Sequence, residues 1–487
     1  MKNYAISIGG SGARCMEALV YLCAAGIGPQ DQDLTLVFVD PDTNNGNLKA
    51  TVELVKLYEK LQPEKQDGYS YLGTRVTTKE PQIWSPFEGP KPTLKDFFSY
   101  ETLRASESGR DAAYLMEVLY THGQREATLD VGFRGKPSIG AAVFSESVNF
   151  AQKAPWRQLA EEIAQAVGRG EQANIFAVGS VFGGTGAAGI PTIPRLMTGE
   201  TLARNPKIAL GCTLLLPYFT YSVPSGVADE VYAHPDLFML NSKEALRYYR
   251  SFEETYNRVY VLGAESQAGQ EWGGVGGEKQ RNLPHFIDFL AGLAALNFFA
   301  SANPTEHRVC ILAVDQKNCL KWTDIPDQDN VHPKVAKFAR SMFFYLKLIW
   351  PRLLDIREGA TGVQRTPWYV DLFEKKKLQV SDSKTYEFLQ DQAKFASLSL
   401  RWLRDMQKNQ GGFTLELVNS LAIEDPDDPK SGLKESVFDK EFMFQGAGKA
   451  PKLSRMWGNL CCIADKGLPP TIGTLRALQV GIYESCS

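Results

Sequence analysis

Short apolar runs alternate with longer segments of mixed polarity along the first three hundred residues. Five of these runs have polar or turn-forming residues at both ends and the length of buried strands. They are 4–8, 34–39, 174–179, 208–217 and 259–262. Segments 13–25 and 187–197 follow the first and third runs, are mostly apolar and are compatible with helices. This alternation predicts an α/β fold with a Rossmann-like, mostly parallel sheet flanked by helices.

The pattern changes after residue 283, where helical spacing dominates. Residues 284–302 are largely apolar and begin with a proline, which suits the first turn of a helix. Apolar and aromatic residues recur at helical spacing in 384–408, and 333–354 is apolar with scattered cations. The sequence therefore predicts a long helix at 284–302 and a divergent, mainly helical region at 303–487.

Composition narrows the class of protein. A chain of 487 residues with 44% hydrophobic content is long enough for two or three domains. Its net charge is −3 and it has no long basic run, so no nucleic-acid surface is indicated. The eight cysteines form no CxxC pair and do not cluster with the five histidines, so we predict no metal site of the zinc type. No apolar stretch reaches the roughly 18 residues of a membrane helix. We expect a cytoplasmic protein with free thiols and no membrane span.

Two glycine loops each separate a predicted strand from a predicted helix. Gly9-Gly-Ser-Gly12 follows the first run, and Gly183-Gly-Thr-Gly186 follows the third. Such loops place backbone N–H groups beside the positive end of a helix dipole, which suits an anion such as a phosphate. The alternative is a tight turn without a ligand, because glycine loops are common in α/β folds.

A third glycine-rich loop, 132–140, contains two cations. Arg134 and Lys136 are placed to neutralise a terminal phosphate, or they belong to a solvated loop with ordinary surface charge. Two acids, Asp40 and Asp42, follow the second strand, where open α/β sheets bind ligands. They suit a ribose or a cation beside phosphates. An Asp-Pro turn is the alternative for Asp42.

Two common nucleotide motifs do not fit. A dinucleotide fingerprint requires a third glycine or alanine where this chain has Cys15. A P-loop requires a GK[ST] sequence, which neither of the first two glycine loops contains.

The order of these elements resembles the nucleotide-binding domain of the tubulin and FtsZ superfamily. Phe182-Gly-Gly-Thr-Gly-Ala-Ala-Gly189 resembles the family's G-G-G-T-G-[ST]-G loop, with Phe182 in place of the first glycine. The segment Lys136-Pro-Ser-Ile-Gly140 parallels an Asn-Pro-Glu-Val-Gly pattern, and 9–14 resembles the Gly-Gln-Cys-Gly-Asn-Gln loop of tubulins. The likeness covers about residues 1–315 and fits a divergent bacterial tubulin-like protein.

The resemblance implies a domain division and a ligand. It divides the chain into a GTP-binding domain at 1–283, with an elaborated insertion at 62–130, the central helix at 284–302 and the C-terminal domain at 303–487. It implies GTP or GDP as ligand, with Mg²⁺ at the phosphates. The phosphate-binding residues would be Gly9, Gly10, Ser11, Gly12, Gly132, Arg134, Gly135, Lys136, Gly183, Gly184, Thr185 and Gly186.

For the ribose and base, the resemblance implies Arg14, Asn241 and Asp288, together with Asp40 and Asp42. A carboxylate at 288 can accept the N1 and N2 hydrogens of guanine, which adenine lacks, and this favours GTP over ATP. The alternative is that Asp288 serves only the helix dipole in the first turn of its helix.

The family also implies a function. Its polymerising members form head-to-tail filaments in which an acidic loop of one subunit reaches the GTP of the next. Here that loop reads Ser301-Ala-Asn-Pro-Thr-Glu306, and Glu306 is the candidate catalytic carboxylate of a GTPase. We therefore expect a filament-forming GTP-binding protein with slow hydrolysis coupled to assembly. One alternative is a nucleotide-binding switch or scaffold in a bacterial multiprotein system, such as a defence system, that does not polymerise on its own. Another is a dinucleotide enzyme, which the absent third glycine disfavours.

Overall fold

The computed structural model describes residues 1–30, 32–89, 91–146, 150–194, 196–197, 205–222, 234–250, 255–264, 268–270, 276–311, 319–359, 367–375, 379–408, 414–416, 453–466 and 473–486. All structural statements below refer to these residues.

The centre of the molecule is a seven-stranded sheet. Its strands are β1 (Lys2–Ile8), β2 (Asp33–Val39), β3 (Arg75–Trp84), β4 (Ala173–Ser180), β5 (Ile208–Leu215), β7 (Arg258–Leu262) and β9 (Arg308–Ile311). Their order across the sheet is β3-β2-β1-β4-β5-β7-β9, and every neighbouring pair is parallel. Two small parallel pairs join β6 (Phe219–Tyr221) to β8 (Ala268–Gln270) and β10 (Cys319–Lys321) to β11 (Thr414–Glu416).

Helices cover both faces of the sheet and make up most of the described C-terminal part. They are α1 (Gly9–Ala24), α2 (Gly46–Leu61), α3 (Leu94–Phe97), α4 (Tyr100–Ala105), α5 (Arg110–Leu119), α6 (His122–Glu126), α7 (Pro137–Ser145), α8 (Trp156–Gly168), α9 (Gly184–Gly189), α10 (Phe238–Arg250), α11 (Phe286–Phe299), α12 (Gln328–Phe344), α13 (Trp350–Arg357), α14 (Pro367–Tyr369), α15 (Ser383–Lys408), α16 (Leu453–Lys466) and α17 (Thr474–Ser485). A π-helical turn, Tyr345–Ile349, joins α12 to α13.

The central strands are buried on both faces, which explains why they appear in the sequence as continuous apolar runs. Alternate residues enter two different apolar clusters. Ala5 and Phe176 pack on the side of α1, α2 and α11, whereas Ile6 and Ile175 pack on the side of α7 and α8. The result is a three-layer α/β arrangement.

The helix α11 packs against α1 and is buried on nearly all sides. The two helices approach closely at Gly292, where a Cβ atom would lie 3.2 Å from the backbone nitrogen of Leu19. The sequence predicts this helix at 284–302, and its observed bounds are Phe286–Phe299.

The C-terminal helices share the core of α1 and α2. The ring of Trp402 on α15 lies 4.9 Å from that of Tyr21 on α1. On α17, Arg476 binds Asp67 at 2.8 Å, and the Tyr483 hydroxyl donates to the carbonyl of Ala25. The predicted α/β class, with a mostly parallel sheet and a largely helical C-terminal region, is confirmed.

The segment 62–130 contains more of the sheet than the sequence indicates. Its residues Arg75–Trp84 form β3, an edge strand beside β2, and α3 to α6 follow it. The strand has few apolar residues because much of it is exposed, so it lacks the apolar run that reveals the central strands.

Two further expectations concern thiols and membranes. The eight cysteines all lie within the described residues, and none of them forms a disulfide. None of the helices in the described part of the chain has both the length and the apolarity that crossing a membrane requires.

We predict that Gly12→Ala destabilises the fold, because α1 lies so close to β4 that the new Cβ would sit 2.6 Å from the carbonyl oxygen of Val178. The expected loss is roughly 1–3 kcal/mol, as for other overpacked core positions. Chemical denaturation measures it. The matched control is Gly458→Ala, also inside a helix but with nothing within 4 Å of the new Cβ, which should stabilise by about 0.5–1 kcal/mol. Equal effects of the two substitutions would contradict the close-packing argument.

Candidate functional site

A cleft lies where β1, β2 and β4 end. In a parallel sheet all carboxyl ends meet at one edge, and the chain order reverses between β1 and β4, which is where open α/β sheets bind ligands. The space between the atoms around the cleft, open solvent included, is about 1050 Å³. Ten of the predicted phosphate-binding residues line it: Gly9, Gly10, Ser11, Gly132, Arg134, Gly135, Gly183, Gly184, Thr185 and Gly186.

The first loop leads directly from β1 into α1. Gly9 adopts φ +77°, a left-handed conformation that favours glycine. The residue before the helix is Ile8, and no side chain caps the helix there. By contrast, the Asn45 side chain accepts bonds from the first turn of α2. The first N–H groups of α1 therefore lack the side-chain acceptor that α2 has, and they face a cleft suited to an anion.

The three glycine loops converge on one point. A Cβ atom on Gly9 would lie 3.4 Å from the Cβ of Thr185. A Cβ atom on Gly132, which also has a positive φ of +77°, would lie 3.9 Å from the Thr185 hydroxyl and 3.7 Å from Asp40 Oδ1. The side chain of Thr185 thus faces both the first and the third loop, and the Asp40 carboxyl also faces the third loop.

The two acids after β2 have different surroundings. Asp42 is held by the backbone, since its Oδ1 accepts from Asn44 N at 3.1 Å and its Oδ2 from Gly277 N at 2.6 Å. Asp40 Oδ1 accepts from Asp42 N at 2.9 Å. Burial raises the pKa of Asp40 to about 8, opposed by that backbone bond and reinforced by the charge of Asp42. Asp40 is therefore a carboxyl that is mostly protonated near neutral pH.

The two cations of the third loop line different cavities. Arg134 lines the cleft, but its guanidinium binds Asp130 at 3.0 Å and the carbonyl of Thr128 at 2.9 Å. Lys136 lines a neighbouring cavity instead of the cleft. Gly12 also lies outside the cleft lining, because it is the contact of α1 with β4.

Arg14 and Asp288, predicted to contact the base, bind each other. Both side chains are buried, with 2% and 0% exposure, and Arg14 Nε lies 3.3 Å from Asp288 Oδ2. The Tyr218 hydroxyl donates to Asp288 Oδ1 at 2.6 Å and accepts from Arg14 Nη2 at 2.5 Å. Neither charged side chain lines the cleft. Burial lowers the pKa of Arg14, but Asp288 and Tyr218 outweigh it, so the net shift is upward.

Asn241 and Glu306 also lie outside the cleft lining. Asn241 lines the neighbouring cavity on α10, and its amide donates weakly to the carbonyl of Phe182 at 3.5 Å. Glu306 precedes β9, so it lies at the amino-terminal edge of the sheet, opposite the cleft. Its carboxylate binds Arg308 at 3.0 Å and lies 3.8 Å from Arg258.

Sequence reasoning missed an amide cluster along one side of the cleft. Asn45 donates to Gln280 Oε1 at 2.6 Å, and Asn47 donates to Asn282 Oδ1 at 2.9 Å. These pairs attach residues 276–282 to the start of α2. The amide-rich sequence Asn44-Asn-Gly-Asn47 was the only signal, and it does not reveal partners more than two hundred residues away.

An aromatic wall and a lysine were also missed. Phe182, Phe219, Tyr221 and Phe238 line the cleft, and the closest ring pair, Phe182 with Phe238, has centroids 4.7 Å apart. Lys91 Nζ donates to the Pro41 carbonyl, beside the two acids. Burial lowers the pKa of Lys91, opposed by Asp42 and Asp40.

The fold and site together define an α/β protein with a glycine-loop cleft at the switch point of a parallel sheet. No family model matches the chain, and no curated protein matches it. Among solved structures it is similar to CetZ from Methanosaeta thermophila strain DSM 6194, with 15% identity, TM-score 0.23 and coverage of 54% of this chain and 46% of that one. It is also similar to CetZ2 from Haloferax volcanii in a GTPγS-bound protofilament, with 16% identity, TM-score 0.27 and coverage of 62% and 60%.

The match spans less than two thirds of each solved chain. At these TM-scores it adds nothing about individual residues. The roles of the site residues therefore rest on the geometry of this chain.

We predict that Asp40 makes stability fall as pH rises from about 4 to 8. Its pKa rises from 3.8 to about 8 on folding, so the folded state holds a proton that the unfolded state has lost. The free energy of unfolding of the wild type, compared with that of Asp40→Asn, should therefore fall by up to about 1.4 kcal/mol for each pH unit in this range. Urea titrations at several pH values measure it, with the exposed Asp111→Asn as control. A constant difference across this range would contradict the assignment.

Proposed function

We propose that this chain binds a nucleoside triphosphate in the cleft, with its phosphates on the three glycine loops. The observation that carries the proposal is the convergence of an uncapped α1 N-terminus, the Thr185 hydroxyl and the Gly132 loop on one point. Backbone N–H groups and a helix dipole stabilise phosphate charge without a P-loop lysine. Because the glycine loops resemble those of the tubulin and FtsZ superfamily, GTP and GDP are expected among the nucleotides that bind.

The residues at the phosphate end suit Mg²⁺. The ion prefers carboxylate and hydroxyl oxygens together with phosphates, and Asp40 and Thr185 supply such oxygens. Within the described part of the chain, only Oδ1 of Asp40 accepts a hydrogen bond, which leaves Oδ2 for the ion. When bound, Mg²⁺ would neutralise phosphate charge. Asp40 would release its proton on binding the ion, since a nearby cation favours the ionised carboxyl.

We further propose head-to-tail self-assembly with the nucleotide at the subunit interface. The cleft lies at the carboxyl edge of the sheet and Glu306 lies at the opposite edge. Within one chain Glu306 lies across the sheet from the cleft, whereas stacking copies along the strand direction would bring it to the cleft of a neighbour. Such a contact is heterologous and forms an open filament unless the rotation between copies closes a ring.

A second candidate function is a nucleotide-dependent switch or scaffold that does not polymerise on its own. It is favoured by the ion pairs of Glu306 with Arg308 and Arg258, which hold the carboxylate that hydrolysis would use. Such a protein would bind nucleotide tightly and turn it over slowly at every protein concentration.

We predict that Thr185→Val weakens nucleotide binding by about 10- to 150-fold. The substitution keeps the side-chain shape and removes a hydroxyl that would donate to a charged phosphate, a bond of about 1.5–3 kcal/mol. Calorimetric titration with GTP measures it. Thr192→Val is the matched control, because Thr192 lines the neighbouring cavity and its hydroxyl bonds to the Ala188 carbonyl. If both variants bind like the wild type, the phosphates do not lie on this loop.

We predict that GTP or its non-hydrolysable analogue drives the protein into the pellet above a threshold concentration, with phosphate release from GTP rising in parallel. In Glu306→Gln that release should fall by about 100-fold, the usual contribution of a positioned acid or base. Sedimentation and phosphate assays measure the two effects. Glu244→Gln, which removes another exposed and ion-paired carboxylate, is the control. Tight binding without a pellet at any concentration would favour the switch or scaffold.

A further inference from the structure

The Asp288 carboxylate is fully engaged inside the protein. Its Oδ2 accepts from the backbone N–H of His285 at 2.9 Å and faces Arg14, while its Oδ1 accepts from Tyr218. To select guanine, a carboxylate must offer both oxygens to the N1 and N2 hydrogens of the base. Neither oxygen reaches the cleft, because Asp288 has no exposed surface.

An aromatic ring covers this ion pair. Phe219 lines the cleft, and the Arg14 guanidinium carbon lies 5.0 Å from its ring centroid. With Phe182, Tyr221 and Phe238 it forms the aromatic wall. A ring face that lines a cleft can hold a base by stacking, and stacking is tolerant of base identity because every base has a π-face.

The remaining polar groups of the cleft do not restore a guanine-selective carboxylate. Among the described lining residues the acids are Asp40 and Asp42, and both lie beside Gly132 at the phosphate end. The amides of Gln280 and Asn282 also line the cleft. Their side-chain oxygens accept from Asn45 and Asn47, which leaves NH₂ donors, and adenine and guanine both carry the N7 acceptor that such a donor can bind.

We propose that the cleft accepts purine nucleoside triphosphates by their phosphates and by ring stacking, and that it does not select guanine over adenine. Asp288 serves as the buried counter-ion of Arg14 instead of reading the base. This inference rests on the proposed nucleotide binding and specifies the substrate class of the same site.

The test on the full-length wild-type protein compares GTP, ITP and ATP, each with Mg²⁺, by competition against a fluorescent nucleotide. ITP lacks the N2 amine, and ATP lacks both hydrogens that a carboxylate would read. We expect the three dissociation constants to agree within about tenfold. A preference for GTP of a hundredfold or more over ATP, whether or not ITP binds like GTP, would overturn the inference while leaving nucleotide binding intact. No binding of any triphosphate at millimolar concentration would overturn the proposed function itself.

Two variants test the assigned roles. Phe219→Leu should weaken all three nucleotides in parallel by roughly 5- to 100-fold, the contribution of stacking one base. Phe97→Leu, an aromatic residue outside the cleft lining, is its control. Asp288→Asn should leave the ratio of GTP to ATP affinity unchanged, and a tenfold change in that ratio would contradict the counter-ion role. The wild-type comparison decides the question even where a variant does not fold.

Discussion

The pairing of β1 with both β2 and β4 is the constraint on which the site depends. The parallel register aligns Ile8 with Val39 on one side and with Gly179 on the other. The residues that follow these strand ends therefore emerge side by side. No long-range side-chain contact is needed to bring the first glycine loop, the acids and the second glycine loop together, because backbone hydrogen bonds in the sheet already do so. Close packing at Gly12 then fixes the distance between α1 and β4.

The buried ion pair of Arg14 and Asp288 determines which chemical groups the cleft can present to a bound molecule. Two charges removed from water are stable only when each has a partner, and deleting one partner of such a pair costs about 3–5 kcal/mol. Tyr218 and the backbone of His285 satisfy the carboxylate, while Phe219 lies over the guanidinium. Withdrawing Asp288 to contact a ligand would leave Arg14 buried without a counter-ion. The pair is therefore a structural unit beneath the aromatic wall, and this part of the cleft is lined by rings instead of charges.

The sequence predicted those parts of the site that depend on neighbouring residues. A glycine loop between a strand and a helix is encoded within a dozen residues, so the local pattern is enough to assign Gly9 and Thr185 to the site. The partners of Asn47 and Asp288 could not be predicted, because Asn282 and Arg14 are separated from them by more than two hundred residues. Phe219 and Lys91 lie on segments without a periodic pattern, and only tertiary packing brings them to the cleft. The edge strand β3 escaped prediction because exposure, not burial, determines its composition.

The parallel sheet also limits what one chain can do alone. Every loop before a strand lies at one edge and every loop after a strand at the other, so the Glu306 loop and the glycine loops are separated by the length of the sheet. A strand of five to eight residues spans about 17–27 Å, which no side chain bridges. If hydrolysis uses Glu306, it requires a second copy, and the ion pairs with Arg308 and Arg258 must open as that copy approaches. The geometry of the sheet thus makes the concentration dependence of any turnover a report on whether a second copy supplies Glu306.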